Sequence, residues 1–388
     1  MDFTFAPEYD ALRRMIREFA EDEVAPMAME MDREHRVPLE MIGRLGKTGL
    51  MGVCFPQEYG GMGAGETGYC ILMEELARIC SSTATIVGAH IGIGAMTIHL
   101  DGNDEQKRKY LTPLARGEKI AAFGLTEAGA GSDAANIRTR AVREGDSWFL
   151  DGGKVFITNG GHADIITVMA VTDATLGARG GVTAFIVESD WEGFSVAREE
   201  DKMGIRATST AELVFEELRV PHENVLGKVG EGFVTFMKSL DMGRLTLAAA
   251  SLGGAQAALE AAVRWAKTRQ QFGVALAHKQ SVQWMIADMA TEIEALRSLV
   301  YRVAWMVDTG QPFGQLAAMC KMYGSEVASR AIDMAMQIHG GLGITRDFPI
   351  ERGFRDARIS EIYEGTNEIQ RIVIAGNIFR EHGVRIRP

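Results

Sequence analysis

Cysteine is scarce in this chain. Only Cys54, Cys70, Cys80 and Cys320 occur among 388 residues, widely spaced and without a CxxC pair. That argues against a disulfide framework and more strongly against metal ligation, leaving buried or reduced thiols. Positive charge is also short: 41 Lys and Arg against 52 Asp and Glu give a formal net charge of −11. Nucleic acid and anionic membranes are therefore poor partners. No uninterrupted apolar run approaches the length of a membrane span, so none is expected. The start, Met1-Asp2-Phe3-Thr4-Phe5, has neither a basic n-region nor an apolar h-region. It does not read as a signal peptide, and a cytoplasmic location is expected. There is no internal repeat and no low-complexity tract.

What is present is ordinary globular composition, 46% apolar and 24% charged, long enough for two or three domains with cores of their own. The 21 methionines are scattered, which suits flexible filling of helix cores. Leu12, Met15, Ile16 and Phe19 have helical spacing, and Pro26 is expected to end that helix. Further helical stretches run through 39–50, 68–80, 84–100 and 104–116, interrupted by the glycine-rich loop 59–65.

Near Ile120 the period changes. Residues 148–150 and 155–158 flank Asp151-Gly152-Gly153 and read as a hairpin around a glycine turn. Short strands follow at 165–171, 182–187 and 211–215, with turns at 158–161, 177–181 and Val220-Pro221. After Gly230-Glu231-Gly232 helical spacing returns, with long helices expected at 233–268, 278–308, 313–339 and 367–382, the pattern of a bundle. The fold class is α+β multidomain: an N-terminal helical domain (1–120), a middle β-barrel or sandwich domain (121–230) and a C-terminal four-helix bundle (231–388).

Six segments carry candidate chemistry. Closely spaced glycines in Phe123–Asp133 let backbone amides approach a bound group, although the loop is neither a P-loop nor a GxGxxG turn. Lys154–Gly161 puts Phe156 and Thr158 at a strand end, where they suit covering a planar cofactor as well as an ordinary core. Asp241 and Arg244 lie in an apolar helix and must pair or face a cleft. Arg269, at a corner between helices, is either solvated or forked onto a diphosphate. Gln337–Gly343 holds more glycine than a helix cap needs. In Ile362–Gln370, Gly365 and the N-cap candidate Thr366 leave Glu364 on non-helical backbone. Its apolar flank would raise a carboxyl toward the range of a general base.

Taken together and in this order, the segments resemble the acyl-CoA dehydrogenase family over essentially the whole chain. The resemblance rests on Phe55–Gly63, Thr126–Asp133, Phe156–Gly160, Asp241–Arg244, Arg269–Gly273, Gln337–Gly343 and Tyr363–Thr366. It is nearest to short-chain and branched-short-chain members. It implies FAD between the β domain and the bundle, in a homotetramer built as a dimer of dimers. Phe123, Leu125, Thr126, Gly131, Ser132, Phe156, Ile157 and Thr158 would line the flavin and pyrophosphate. Arg269, Phe272, Gln280, Gln337, Gly340, Gly341, Thr366 and Glu368 would hold the adenosine diphosphate part, some from a neighbouring subunit. Ser132, Asp241, Arg244, Tyr363 and Gly365 would border the acyl-CoA, and no metal is implied.

Glu364 would take the α proton while the β hydride passes to flavin N5, and an electron-transfer flavoprotein would reoxidise the cofactor. Some branched-chain members supply the base from the helix carrying Asp241; Gly stands there at 243, which favours Glu364. Ala128, Phe156 and Ile344 depart from common family residues without removing a catalytic atom. The competing expectations are an acyl-CoA oxidase, a non-redox CoA-thioester lyase, or a non-catalytic CoA-binding protein on the same fold.

Overall fold

The computed structural model describes residues 4–384; Met1, Asp2 and Phe3 of the leader reading lie outside them. Helices occupy the chain from Pro7 to Ala115, strands dominate from Ala121 to Leu226, and helices return from Gly232. This is the expected helical, β and helical architecture.

In the first part, Pro26 does not end its helix. The helix Pro7–Phe19 passes through a π-helical turn, Ala20–Val24, into a second helix, Ala25–Glu34. Pro26 falls in the first turn of that second segment, where a missing N–H costs nothing. The helix stops at His35, whose φ of 54° is left-handed. Residues 81–101 are the one helical run among those described that is long and apolar enough to cross a membrane, and 72% of that window is buried inside the protein. It is a core helix.

The strands are β1 (Ala121–Gly124), β2 (Arg140–Glu144), β3 (Ser147–Thr158), β4 (Ile165–Val171), β5 (Val182–Glu188), β6 (Phe194–Glu199), β7 (Thr210–Pro221) and β8 (Val225–Leu226). They form an open path, β6-β7-β3-β2-β4-β5-β8, with β1 parallel to β4. Side-chain alternation divides the sheet's two faces. Ile165 and Met169 of β4 and Val182, Ala184 and Ile186 of β5 join the helical core. Their neighbours Ile166, Val168, Phe185 and Val187 meet Leu150, Leu213 and Phe215 in a second core inside the folded sheet.

The hairpin expected at 151–153 is absent. β3 is one continuous strand, and Gly152 sits at a register shift against β7 with φ 142°. A Cβ there would lie 2.8 Å from the Cα of Thr139, so the glycine answers a close backbone approach at a bulge. The real turn is Gly145-Asp146, joining β2 to β3 through the pair Glu144 and Ser147. Val220-Pro221 is likewise the end of β7 rather than a separate turn.

The long helices span Gly232–Thr268, Gln280–Asp308, Gly314–His339 and Asn367–Glu381. Gly232–Thr268 is central, packing on Gly314–His339 and on Gly65–Ile79. Small residues allow the close crossing: a Cβ on Gly253 would overlap the carbonyl oxygen of Glu74. Where these helices meet, Glu74 and Glu75 are buried and ion-paired, Arg13 lying 2.9 and 2.7 Å from them. Gly253→Ala is expected to cost about 2–3 kcal/mol through overpacking, read as a lowered denaturation midpoint; an unchanged midpoint would show that the crossing relaxes freely.

Candidate active site

After the short helix Ile350–Ala357 and a 3₁₀ turn to Glu361, the backbone leaves helical geometry. Glu364 (φ 54°) and Gly365 (φ 90°) are both left-handed. For a glutamate this conformation is strained by about 1–2 kcal/mol and must be held. The buried Gln370 holds it, its Nε2 donating to the carbonyls of Glu364 (3.2 Å) and Gly365 (3.0 Å). Thr366 caps the next helix, its Oγ1 accepting from the Ile369 N–H at 3.3 Å. Behind the loop Lys321 is fully buried, and its Nζ donates to Asn367 Oδ1 at 3.0 Å.

The turn aims Glu364 at the Gly232–Thr268 helix. Its Oε2 is buried with no hydrogen-bond partner among the described residues, and lies 2.5 Å from where a Cβ on Gly243 would stand; Ile93 is the next neighbour of that point. Burial drives the carboxyl up to about 7, with Lys321 and then Arg244 drawing it back. Arg244 is itself ion-paired to Asp241 at 2.5 Å, one turn away on the same helix. Burial pushes the Tyr363 phenol up. Tyr363 also edges a cavity of about 460 Å³, shared with Thr85, Ser251, Gly254 and Arg352, that Glu364 does not line.

A second group forms where the β strands meet the helices. Phe123 and Leu125 are buried, the Phe123 ring 4.2 Å from that of Phe236. Val155 N–H donates to the Thr126 carbonyl at 2.9 Å, tying the glycine-rich loop to the Phe156 segment. The lock is Lys154, which the sequence reading did not single out. Fully buried, it donates to the Leu125 carbonyl (3.2 Å) and to Glu127 (2.6 Å), while Glu127 accepts from Arg138 N–H (2.6 Å) and Thr139 N–H (3.0 Å). A lysine inside a strand, between Gly153 and Val155, was a readable signal, since such a charge needs a partner.

On this lock the loop holds Gly131 and Ser132 open; nothing lies within 4 Å of a Cβ placed on Gly129 or Gly131. Phe156 has φ 59° and is 63% exposed. Thr158 is partly buried. Ile157 points into the sheet's own core. An exposed aromatic beside an open, backbone-rich loop fits a flat cofactor carrying phosphates.

Of the residues expected at the adenosine end, Thr366 caps the helix after Glu364, and most of the others lie on the surface. Phe272 and Gly273 form the tip of a small hairpin, Gln270–Gln271 with Val274–Ala275, and Phe272 is 93% exposed. Gln280, Gln337, Gly340, Gly341 and Glu368 are exposed as well. Arg269 lies over the Trp265 ring (6.0 Å), which stacks on His339 at 5.2 Å. Trp265 and His339, also unforeseen, thus join the Arg269 corner to the Gln337–Gly341 corner. No hydrogen bond or ion pair among the described residues joins either corner to Glu364. Among the described residues no group of three His, Cys, Asp or Glu could hold a metal ion.

Three family models match in series: the N-terminal domain of acyl-CoA dehydrogenase over residues 6–118, its middle domain over 122–218 and its C-terminal domain over 230–379. The chain belongs to the acyl-CoA dehydrogenase family. It is 48% identical over 380 residues to the short-chain specific acyl-CoA dehydrogenase of Clostridium acetobutylicum, covering 98% of this chain and 100% of that one. Butyryl-CoA dehydrogenase from Megasphaera elsdenii superposes with a TM-score of 0.96 at 42% identity, over 98% of this chain and all of that chain. A chain from the structure of the electron-transferring flavoprotein of Acidaminococcus fermentans gives 0.97 at 45% identity, over 98% and 100%. With the family comes the class of chemistry, oxidoreduction at a CH–CH bond.

Gly243→Ala is expected to displace the Glu364 carboxylate and lower kcat by about 10²-fold, since a misplacement of about 1 Å has that cost. Steady-state kinetics beside a melting curve checks it; full activity would mean that the carboxylate works from another position.

Proposed function

We propose that this chain dehydrogenates a short- to medium-chain or branched-chain acyl-CoA to the trans-2-enoyl-CoA, with Glu364 removing the α proton. The observation that carries the reading is the Glu364 carboxylate, its Oε2 buried against Gly243 with no hydrogen-bond partner among the described residues, and raised to about 7. A group so placed accepts a proton near neutral pH without first breaking a hydrogen bond.

The α C–H of a thioester is acidic only when the carbonyl is polarised. The backbone N–H of Glu364 has no acceptor among the described residues, so it is free to donate to that carbonyl, at a value of about 3–4 kcal/mol. Tyr363 and Gly365 flank the position, while Asp241 and Arg244 border the approach, with Ser132 opposite them on the loop.

FAD fits the open face of the loop, held by the segments Phe123–Ser132 and Phe156–Thr158 at the flavin end and by Thr366 and Glu368 beyond it. When bound, FAD supplies the acceptor for the β hydride. The chain's own share is placement and exclusion of water: Lys154 and Glu127 keep the loop in shape, and the apolar wall of Phe123, Leu125 and Ile93 keeps the space dry.

Arg269, Phe272, Gln280, Gln337, Gly340 and Gly341 are assigned to the adenosine diphosphate part across a subunit boundary, which accounts for an exposed Phe272 far from Glu364. Trp284, Trp305 and Ile372 are 62%, 56% and 63% exposed on the bundle, as suits a homotetramer formed through these helices. An electron-transfer flavoprotein is the electron acceptor in this reading, and the cytoplasm its setting.

Three outcomes are expected. Anaerobic titration of the yellow holoprotein with saturated acyl-CoAs should bleach the oxidised-flavin band, most readily with short chains; no bleaching by any of them would overturn the reading. Glu364→Gln should keep FAD and bind acyl-CoA while losing about 10⁴-fold in turnover. For the unmodified enzyme, kcat/KM should rise tenfold per pH unit up to about 7 and then level, because only the ionised Glu364 accepts the proton.

A further inference from the structure

Two cations bear on Glu364 within the buried site, Lys321 and Arg244, and their surroundings differ. Arg244 touches the Asp241 carboxylate at 2.5 Å, so much of its charge is already answered. Lys321 is fully buried, and its hydrogen-bond partner, Asn367 Oδ1 at 3.0 Å, is a neutral amide. No carboxylate lies within ion-pair distance of its Nζ among the described residues.

A buried ammonium without a counter-ion is costly, and burial indeed brings Lys321 down to about 8, with Glu364 the strongest opposing influence. The Asn367 amide is no loose neighbour. It exchanges hydrogen bonds with Ser325 (3.1 and 2.9 Å) and opens the helix that begins just after the Glu364 turn. Lys321 is therefore tied to the helix that follows the Glu364 turn through the Asn367 seat, and its charge also bears on the carboxylate.

The other groups around the carboxylate leave this role open. Tyr69, on the Gly65–Ile79 helix, and Tyr363 are phenols pushed up by burial and stay neutral. Glu361 is occupied by Ser329 (2.5 Å) and Arg358 (2.6 Å), and Glu368 is exposed. Resting on the assignment of Glu364 as base, we propose that Lys321 is a positioning residue for it: a buried, uncompensated cation seated on Asn367 that holds the base loop and keeps the carboxylate ionised at neutral pH.

The test compares pH profiles of kcat/KM for the holoenzyme, Lys321→Met, Lys321→Arg and Asn367→Asp, with FAD content and melting temperature alongside. Lys321→Met should move the acidic limb up by about 1–2 pH units, the usual effect of a nearby opposite charge, with tenfold or greater loss at pH 7. Lys321→Arg should bring the limb back. Asn367→Asp leaves the lysine in place but answers its charge, and should move the limb upward too, which keeps the test open if the methionine variant does not fold. A limb unmoved in Lys321→Met or Asn367→Asp, with only melting temperature or FAD content lowered, overturns the proposal while the Glu364 assignment stands. A Glu364→Gln control that keeps turnover would overturn both.

Discussion

The site depends on a carboxylate turned inward, with one oxygen buried and unpaired among the described residues. Burial lifts the Glu364 carboxyl from 4.5 to about 7. Between those two pH values the folded chain binds a proton that the unfolded chain has already released, so this group makes folding less favourable as pH rises through the window. By pH 7 the deficit is about 3 kcal/mol at 1.36 kcal/mol per pH unit. The left-handed backbone at Glu364 adds strain. Both must be met elsewhere, and the buried Gln370 clamp, the Thr366 cap and the interlocked helices around Gly253 are where the structure meets them.

The same logic of a buried charge made safe by its partners recurs across the cleft. Lys154 sits in a strand, with the Leu125 carbonyl and Glu127 as acceptors, and Glu127 also takes two backbone N–H groups. That network turns a glycine-rich segment, which alone would sample many shapes, into a defined rim. Two loops, one on each side of the cleft, are thus each governed by a buried lysine, but to different ends. Lys154 is neutralised by a carboxylate and gives shape. Lys321 is seated on an amide and leaves its charge to act.

Much of the architecture was legible in the sequence. Four long helices emerged from their 3.6-residue period within a few residues of their ends, because one face of each is continuously apolar. Glycine and proline were less faithful guides. Gly152 looked like a turn but relieves a close approach to Thr139, and Pro26 looked like a stop but sits where a first turn tolerates it. Both meanings are set by neighbours distant in sequence, which local pattern does not reveal. β2 and β6 escaped notice for a related reason: both are exposed along nearly their whole length and lack the apolar alternation that marks a buried strand. The break from helix at Glu364 and the Thr366 cap were readable from local chemistry. The stack of Trp265 on His339 joins residues 74 positions apart, and no short motif announces it.

The contact between Glu364 and Gly243 couples two distant stretches of the chain. A Cβ at 243 would stand 2.5 Å from Glu364 Oε2, the far end of a flexible side chain. Any side chain placed there therefore meets the carboxylate first, and the carboxylate must swing aside to make room. The resting position of the acid is thus written partly by what residue 243 lacks, on a helix that belongs to a different segment of the sequence.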